Sequence, residues 1–106
     1  MNISNKPVYT SGVASSILGI NNKTLINYEN AKLISIKRNA KGRRLYSQQD
    51  LYNILLIRYL MKEKGLTMKG IKLAKKLVNA AKKKGADIFN LLVPPKIEQK
   101  LLKKVI

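Results

Sequence analysis

Apolar positions along this chain recur first with helical spacing, then with strand spacing, then with helical spacing again. Thr10 can cap a helix from about Ser11 to Leu18, whose apolar positions are Val13, Ala14, Ile17 and Leu18. Gly19 suits the residue just past a helix end, where a left-handed backbone is needed. Asn21 or Asn22 then caps a second helix running to about Ala31. Leu25 and Tyr28, three apart, share a face expected to pack on the first helix, which leaves Asn22, Lys23, Ile26, Asn27 and Asn30 facing outward. From Leu33 to Arg38 the period becomes two, with Ile34 and Ile36 on one face. Asn39-Ala40-Lys41-Gly42 reads as a turn, and Arg43 to Tyr46 as the return strand. A two-stranded ribbon is marginal alone, so Leu45 and Tyr46 are expected to anchor it to the helices.

Ser47-Gln48-Gln49-Asp50 has the form of a capping box and opens a long helix to about Lys64, ended by Gly65. Thr67 caps a fourth helix with an apolar stripe of Ile71, Ala74, Leu77, Val78 and Ala81 and lysines over the rest of its surface. Gly85 stops it, residues 87–93 form a helical turn or two, and Pro94-Pro95 break the chain. Ile97, Leu101, Leu102, Val105 and Ile106 make the apolar face of a terminal helix. The resulting fold class is mainly α: a winged helix-turn-helix with a two-stranded β-hairpin wing and C-terminal helices. Residues 1–8 read as a flexible arm, 9–84 as the winged-helix domain, and 85–106 as a short helical tail and candidate dimerisation element. The stripe from Ile71 to Ala81 reads as core or dimer packing, not as a ligand box.

Charge sharpens this picture. Lys and Arg number 22 against 5 acidic residues, a net charge of +17 in 106 residues, which favours a polyanionic partner. Abundant Lys, Asn and Ile account for part of the excess through the composition that A+T-rich genes impose. The arginines are more telling. Three of the four, Arg38, Arg43 and Arg44, fall in one hairpin, where Lys37 and Lys41 join them. The guanidinium fork suits phosphate, so the hairpin is a candidate contact surface. The chain has no Cys and no His, which excludes disulfides and ordinary zinc or haem sites, and it has no glycine-rich phosphate loop or convincing carboxylate pair. No enzyme and no cofactor are expected. No apolar run approaches membrane-spanning length, and Met1-Asn2-Ile3-Ser4 does not open a signal peptide, so no membrane is expected and the cytoplasm or its nucleoid is the expected location.

The stretch from Tyr9 to Ile71 resembles the DNA-binding domain of the MerR family. The matching pieces are Tyr9-Thr10, Thr24-Leu25 with Tyr28-Glu29, Leu33-Ile34, Gly42, Arg44-Leu45-Tyr46-Ser47, Asp50-Leu51, and Gly65-Leu66 followed by Ile71. Thr-Leu-x-x-Tyr-Glu and Arg-Leu-Tyr-Ser-x-x-Asp at this separation are its most specific part. The run from Gly65 is similar to the HspR-like repressor branch. The resemblance implies that the second helix is a recognition helix, that the hairpin is its wing, that Arg44 grips the DNA backbone, and that Tyr28 contacts phosphate. Tyr28 and Tyr46 read equally well as core anchors. One departure matters: most relatives carry arginine where this chain has Ile26, which could touch thymine methyls while Asn27 pairs with adenine.

The candidate DNA-binding residues are therefore Asn22, Lys23, Ile26, Asn27, Tyr28 and Asn30 on the recognition helix, and Lys37, Arg38, Lys41, Arg43, Arg44 and Tyr46 on the wing. The expected partner is double-stranded DNA, bound by a homodimer as a sequence-specific transcription regulator. The short chain leads to the expectation of no separate drug- or metal-binding domain. No small-molecule effector is evident, and an effector would be a protein co-regulator or absent. The rival reading is an architectural DNA-binding protein, chromosome-organising or excisionase-like, with low sequence selectivity.

Overall fold

Local capping chemistry sets most of the element boundaries. A computed structural model of the chain describes residues 3–106; Met1 and Asn2, the start of the expected arm, lie outside the described residues. The order is β1 (Tyr9–Thr10), α1 (Ser11–Leu18), α2 (Asn22–Asn30), β2 (Lys37–Arg38), β3 (Arg44–Tyr46), α3 (Gln48–Lys62), α4 (Met68–Lys83), α5 (Phe89–Leu92) and α6 (Pro95–Leu102). The Thr10 hydroxyl accepts from Val13 N–H, the Asn21 amide oxygen from Thr24, and the Thr67 hydroxyl from Gly70. Ser47 and Asp50 complete the capping box that begins α3. Gly19 and Gly65 have φ of 64° and 68°, the left-handed backbone that ends α1 and follows α3.

The fold is mainly helical, with a small antiparallel sheet of order β1-β3-β2. The pattern foresaw a two-stranded ribbon; the third strand is β1, which pairs Tyr9 with Tyr46 and Thr10 with Leu45. Two residues carry no periodicity, which is why β1 is invisible in the sequence. Over its described residues the arm before β1 makes three hydrogen bonds to residues 46–49. Val8 N–H donates to Tyr46 O, Gln49 N–H to Ser4 O, and Ser4 N–H to the Gln48 side chain. The expected strand Leu33 to Arg38 contracts to Lys37–Arg38, because Leu33 and Ile36 turn inward and are buried.

One core joins the helices, centred on Ala14, Leu25, Tyr46, Leu51, Ile54 and Val93, each almost wholly removed from water. Each large apolar side chain buried there is worth about 1.5–3 kcal/mol. The C-terminal tail belongs to this same core. Leu101, Leu102 and Val105 are buried, and the Gln48 side-chain amide donates to Val105 O at 3.0 Å. Part of the apolar face of residues 97–106 therefore packs on α3 of the same chain. Pro94-Pro95 does break the chain, yet Pro95 also starts α6, since its fixed φ and missing N–H suit a first helical turn. On α4 only Ile71 is buried; Leu73 and Leu77 remain 58% and 54% exposed.

Candidate nucleic-acid interface

The recognition surface begins with how tightly α1 and α2 meet. Ala14 is fully buried at their junction, where a larger side chain would force the helices apart, and Leu25 fills the space beside it. Ile20 plugs the turn, and the Ser15 hydroxyl donates to Ile20 O, so the angle between the helices is held by both packing and a hydrogen bond. With Leu25 and Tyr28 turned inward, Asn22, Lys23, Asn27 and Asn30 are exposed and Ile26 is half-buried on the outer face of α2. That face offers three amides able to donate and accept at once, one ammonium, and one aliphatic branch. These are groups that read adenine edges, phosphates and thymine methyls.

The wing stands beside this face. Arg38 is opposite Arg44 and Lys37 opposite Leu45. The Asn39 side chain accepts from Lys41 and Arg43 N–H, and Gly42 at φ 78° closes the turn. Lys37, Arg38, Lys41 and Arg43 are exposed. Arg44 is not free. Its Nε donates to Glu29 Oε1 at 2.7 Å, and Arg38 reaches the same oxygen at 3.3 Å while also donating to Gly42 O. Glu29 lies on α2, so one carboxylate clamps both strands of the wing to that helix.

Arg44, expected to grip the DNA backbone, is thus also a positioning residue for the wing. Glu29 belongs to the family motif in the sequence, but its pairing role was not foreseen there. A signal was present, because Glu29 is the sole acidic residue among the first 49. Both tyrosines take the core positions that the sequence allowed. Tyr46 is 0% exposed, its buried hydroxyl has no hydrogen-bond partner among the described residues, and burial pushes its pKa up, so it anchors β3 in the core. Tyr28 is a core residue of α2; burial raises its pKa, partly opposed by the Arg58 guanidinium nearby. The outer face thus keeps Asn22, Lys23, Ile26, Asn27 and Asn30 from α2 with Lys37, Arg38, Lys41 and Arg43 from the wing.

Arg58 marks a second basic surface that the sequence reading did not collect. With Lys62, Lys64, Lys100 and Lys104 it borders a cleft of about 470 Å³ between α3 and α6. These residues lie up to 46 positions apart, so only the folded tail brings them together. Among the described residues no cluster of His, Cys, Asp and Glu could hold a metal ion, and no helix is long and apolar enough to cross a membrane.

Comparison with known proteins agrees with this geometry. Residues 9–77 match the model of the MerR HTH family regulatory protein. A Streptomyces coelicolor protein named as heat shock protein HspR is 33% identical over 66 residues, which is 62% of this chain and 44% of the relative. The chain thus spans less than half the length of that curated relative. The crystal structure of HiNmlR, a MerR family regulator lacking the sensor domain, bound to promoter DNA, matches 92% of this chain and 69% of that chain, with a TM-score of 0.63 and 26% identity.

Proposed function

The chain belongs to the MerR family of helix-turn-helix regulators, and from that premise we propose that it is a sequence-selective transcription regulator that binds inverted-repeat duplex DNA as a homodimer in the nucleoid. The carrying observation is the outer face of α2, with Asn22, Lys23, Asn27 and Asn30 exposed beside a wing held in place by Glu29. A helix presenting amides and flanked by cations matches what the major groove and its phosphate walls offer. Lys37, Lys41 and Arg43 meet phosphates on one flank, and the basic cleft at Arg58 supplies a second flank. Leu73 and Leu77 on α4 are among the exposed apolar residues available for pairing two copies, together with Leu91 and Ile106 in the C-terminal region. HiNmlR, described as bound to promoter DNA, supports duplex DNA as the partner.

Ile26 keeps one other reading in view. An α2 surface with no arginine has less capacity to grip guanine, which favours an architectural role with weak selectivity. Selection of bound fragments from random duplexes separates the two. A palindromic consensus supports the regulator, while enrichment for A·T content without a consensus overturns it. Sedimentation of the full chain with and without that duplex tests pairing, and a monomer in both states at high micromolar concentration rejects the homodimer.

A further inference from the structure

Between α3, α4 and α5 the chain leaves a cleft of about 190 Å³. Leu33, Ile57, Ile71, Val78, Phe89 and Leu92 give it an apolar wall, while Lys32, Lys72 and Lys75 stand at its edge and no acidic residue lines it. It is larger than the ~150 Å³ cavity that accepts benzene, and below the ~300 Å³ at which sites for drug-sized ligands begin. The residues come from positions 32 to 92, so no local motif announces the site.

Its position is as informative as its lining. Lys32 and Leu33 follow Ala31, the residue that caps the C-terminus of α2. Leu33 N–H donates to Tyr28 O and Lys32 N–H to Glu29 O, the pair of bonds that closes a helix with a left-handed residue. Lys32 is that residue, at φ 61°, where glycine is usual and any other side chain costs energy. A strained lysine thus sits at the rim of an apolar cleft, one residue from the end of the helix that faces DNA.

We propose that this cleft binds a small organic anion with an apolar body, of the size of a medium-chain or aromatic carboxylate. The apolar part fills the space among Ile57, Ile71, Val78 and Phe89, and the carboxylate meets Lys32, Lys72 and Lys75. Charge decides between occupants: an apolar wall whose rim carries Lys32, Lys72 and Lys75, with the neutral Asn53 and Asn79 and no carboxylate, suits an amphipathic anion, and a second copy of a chain carrying +17 brings mostly like charge to it. Pairing through Leu73 and Leu77 does not fill the cleft, since both lie about 200° and 240° around α4 from Ile71 and neither lines it. The ligand also contacts Lys32 and Leu33, so its binding is felt at the end of α2.

The test is titration of the full chain with octanoate, followed by amide chemical shifts, with 1-octanol as the uncharged analogue. Saturable shifts are expected at residues lining the cleft and at the last turn of α2. Weaker binding is expected for octanol and for K72Q/K75Q, each by about three- to fivefold, the factor appropriate to exposed ion contacts. Ala74→Phe, which fills the cleft, should abolish the shifts. Lys72 and Lys75 are exposed, so their double variant leaves the core intact and carries the test if Ala74→Phe does not fold. Unsaturable shifts spread over all lysine-bearing surfaces, or octanoate binding unchanged in K72Q/K75Q, overturn the proposal. So does a dimer that Ala74→Phe dissociates while octanoate leaves every shift unmoved, because the occupant is then a second copy.

Discussion

Replacing Glu29 by Gln keeps the side chain's size and removes its charge, and the structure gives opposite signs to its two consequences. The pair to Arg44 is short, at 2.7 Å, and its partners are only 21% and 18% exposed, so it has the strength of a partly desolvated charge-assisted bond, about 1.5–3 kcal/mol. Arg38 is 44% exposed and its 3.3 Å contact adds at most about 1 kcal/mol. Gln can still accept one weaker bond, so a net loss of about 1–2 kcal/mol and several degrees of Tm is expected for E29Q. The second consequence concerns DNA. Losing one negative charge between two arginines frees them for phosphates, so affinity for random duplex should rise and the slope of log K against log salt should steepen by about one unit. Discrimination should fall, because the wing no longer has a fixed position relative to α2. The assay is fluorescence anisotropy across a salt series, with a selected duplex and a scrambled one. A variant matching the parent in slope and in the ratio of affinities, or binding random duplex more weakly, refutes the clamp.

Asn27→Ala should weaken binding to the selected duplex by about 1–3 kcal/mol more than to scrambled DNA; equal losses by anisotropy would show that Asn27 reads no base. Leu101→Ala should cost about 2–5 kcal/mol in urea unfolding, because Leu101 is buried against α3, and a loss below 0.5 kcal/mol would show that the tail does not dock. Lys32→Gly relieves a left-handed lysine and should stabilise by about 0.5–1 kcal/mol in the same assay; destabilisation would mean that the Lys32 side chain outweighs its backbone strain. Tyr52, packed near Glu98, has its pKa pushed up to about 12, first by burial and then by that carboxylate. The folded chain therefore holds this proton where the unfolded chain has lost it, so stability should fall by about 2–3 kcal/mol between pH 10 and 12. Tyr52→Phe should lack this component, and identical pH profiles would remove the assignment.

Much of the architecture was legible from the chain because its signals act over three or four residues. The caps at Thr10, Asn21, Ser47 and Thr67, and the left-handed glycines at 19 and 65, depend on hydrogen bonds and φ angles that a short window contains. The outer face of α2 followed from the spacing of Leu25 and Tyr28, and the paired motifs around Tyr28 and Tyr46 led to the family. Tertiary structure decided what depends on separation. Glu29 meets Arg44 across 15 positions, and that pairing turns a hairpin arginine into the wing's tether. Tyr46 is buried because β1 and α1 close over β3, which no period in residues 44–46 could reveal. The tail packs on α3 through contacts such as Gln48 with Val105, 57 positions apart. The amphipathic cleft exists only where α3, α4, α5 and the end of α2 converge. Local hydrogen bonds are written in neighbouring residues; charge pairs, burial and cavities belong to whichever distant surfaces the fold brings into contact.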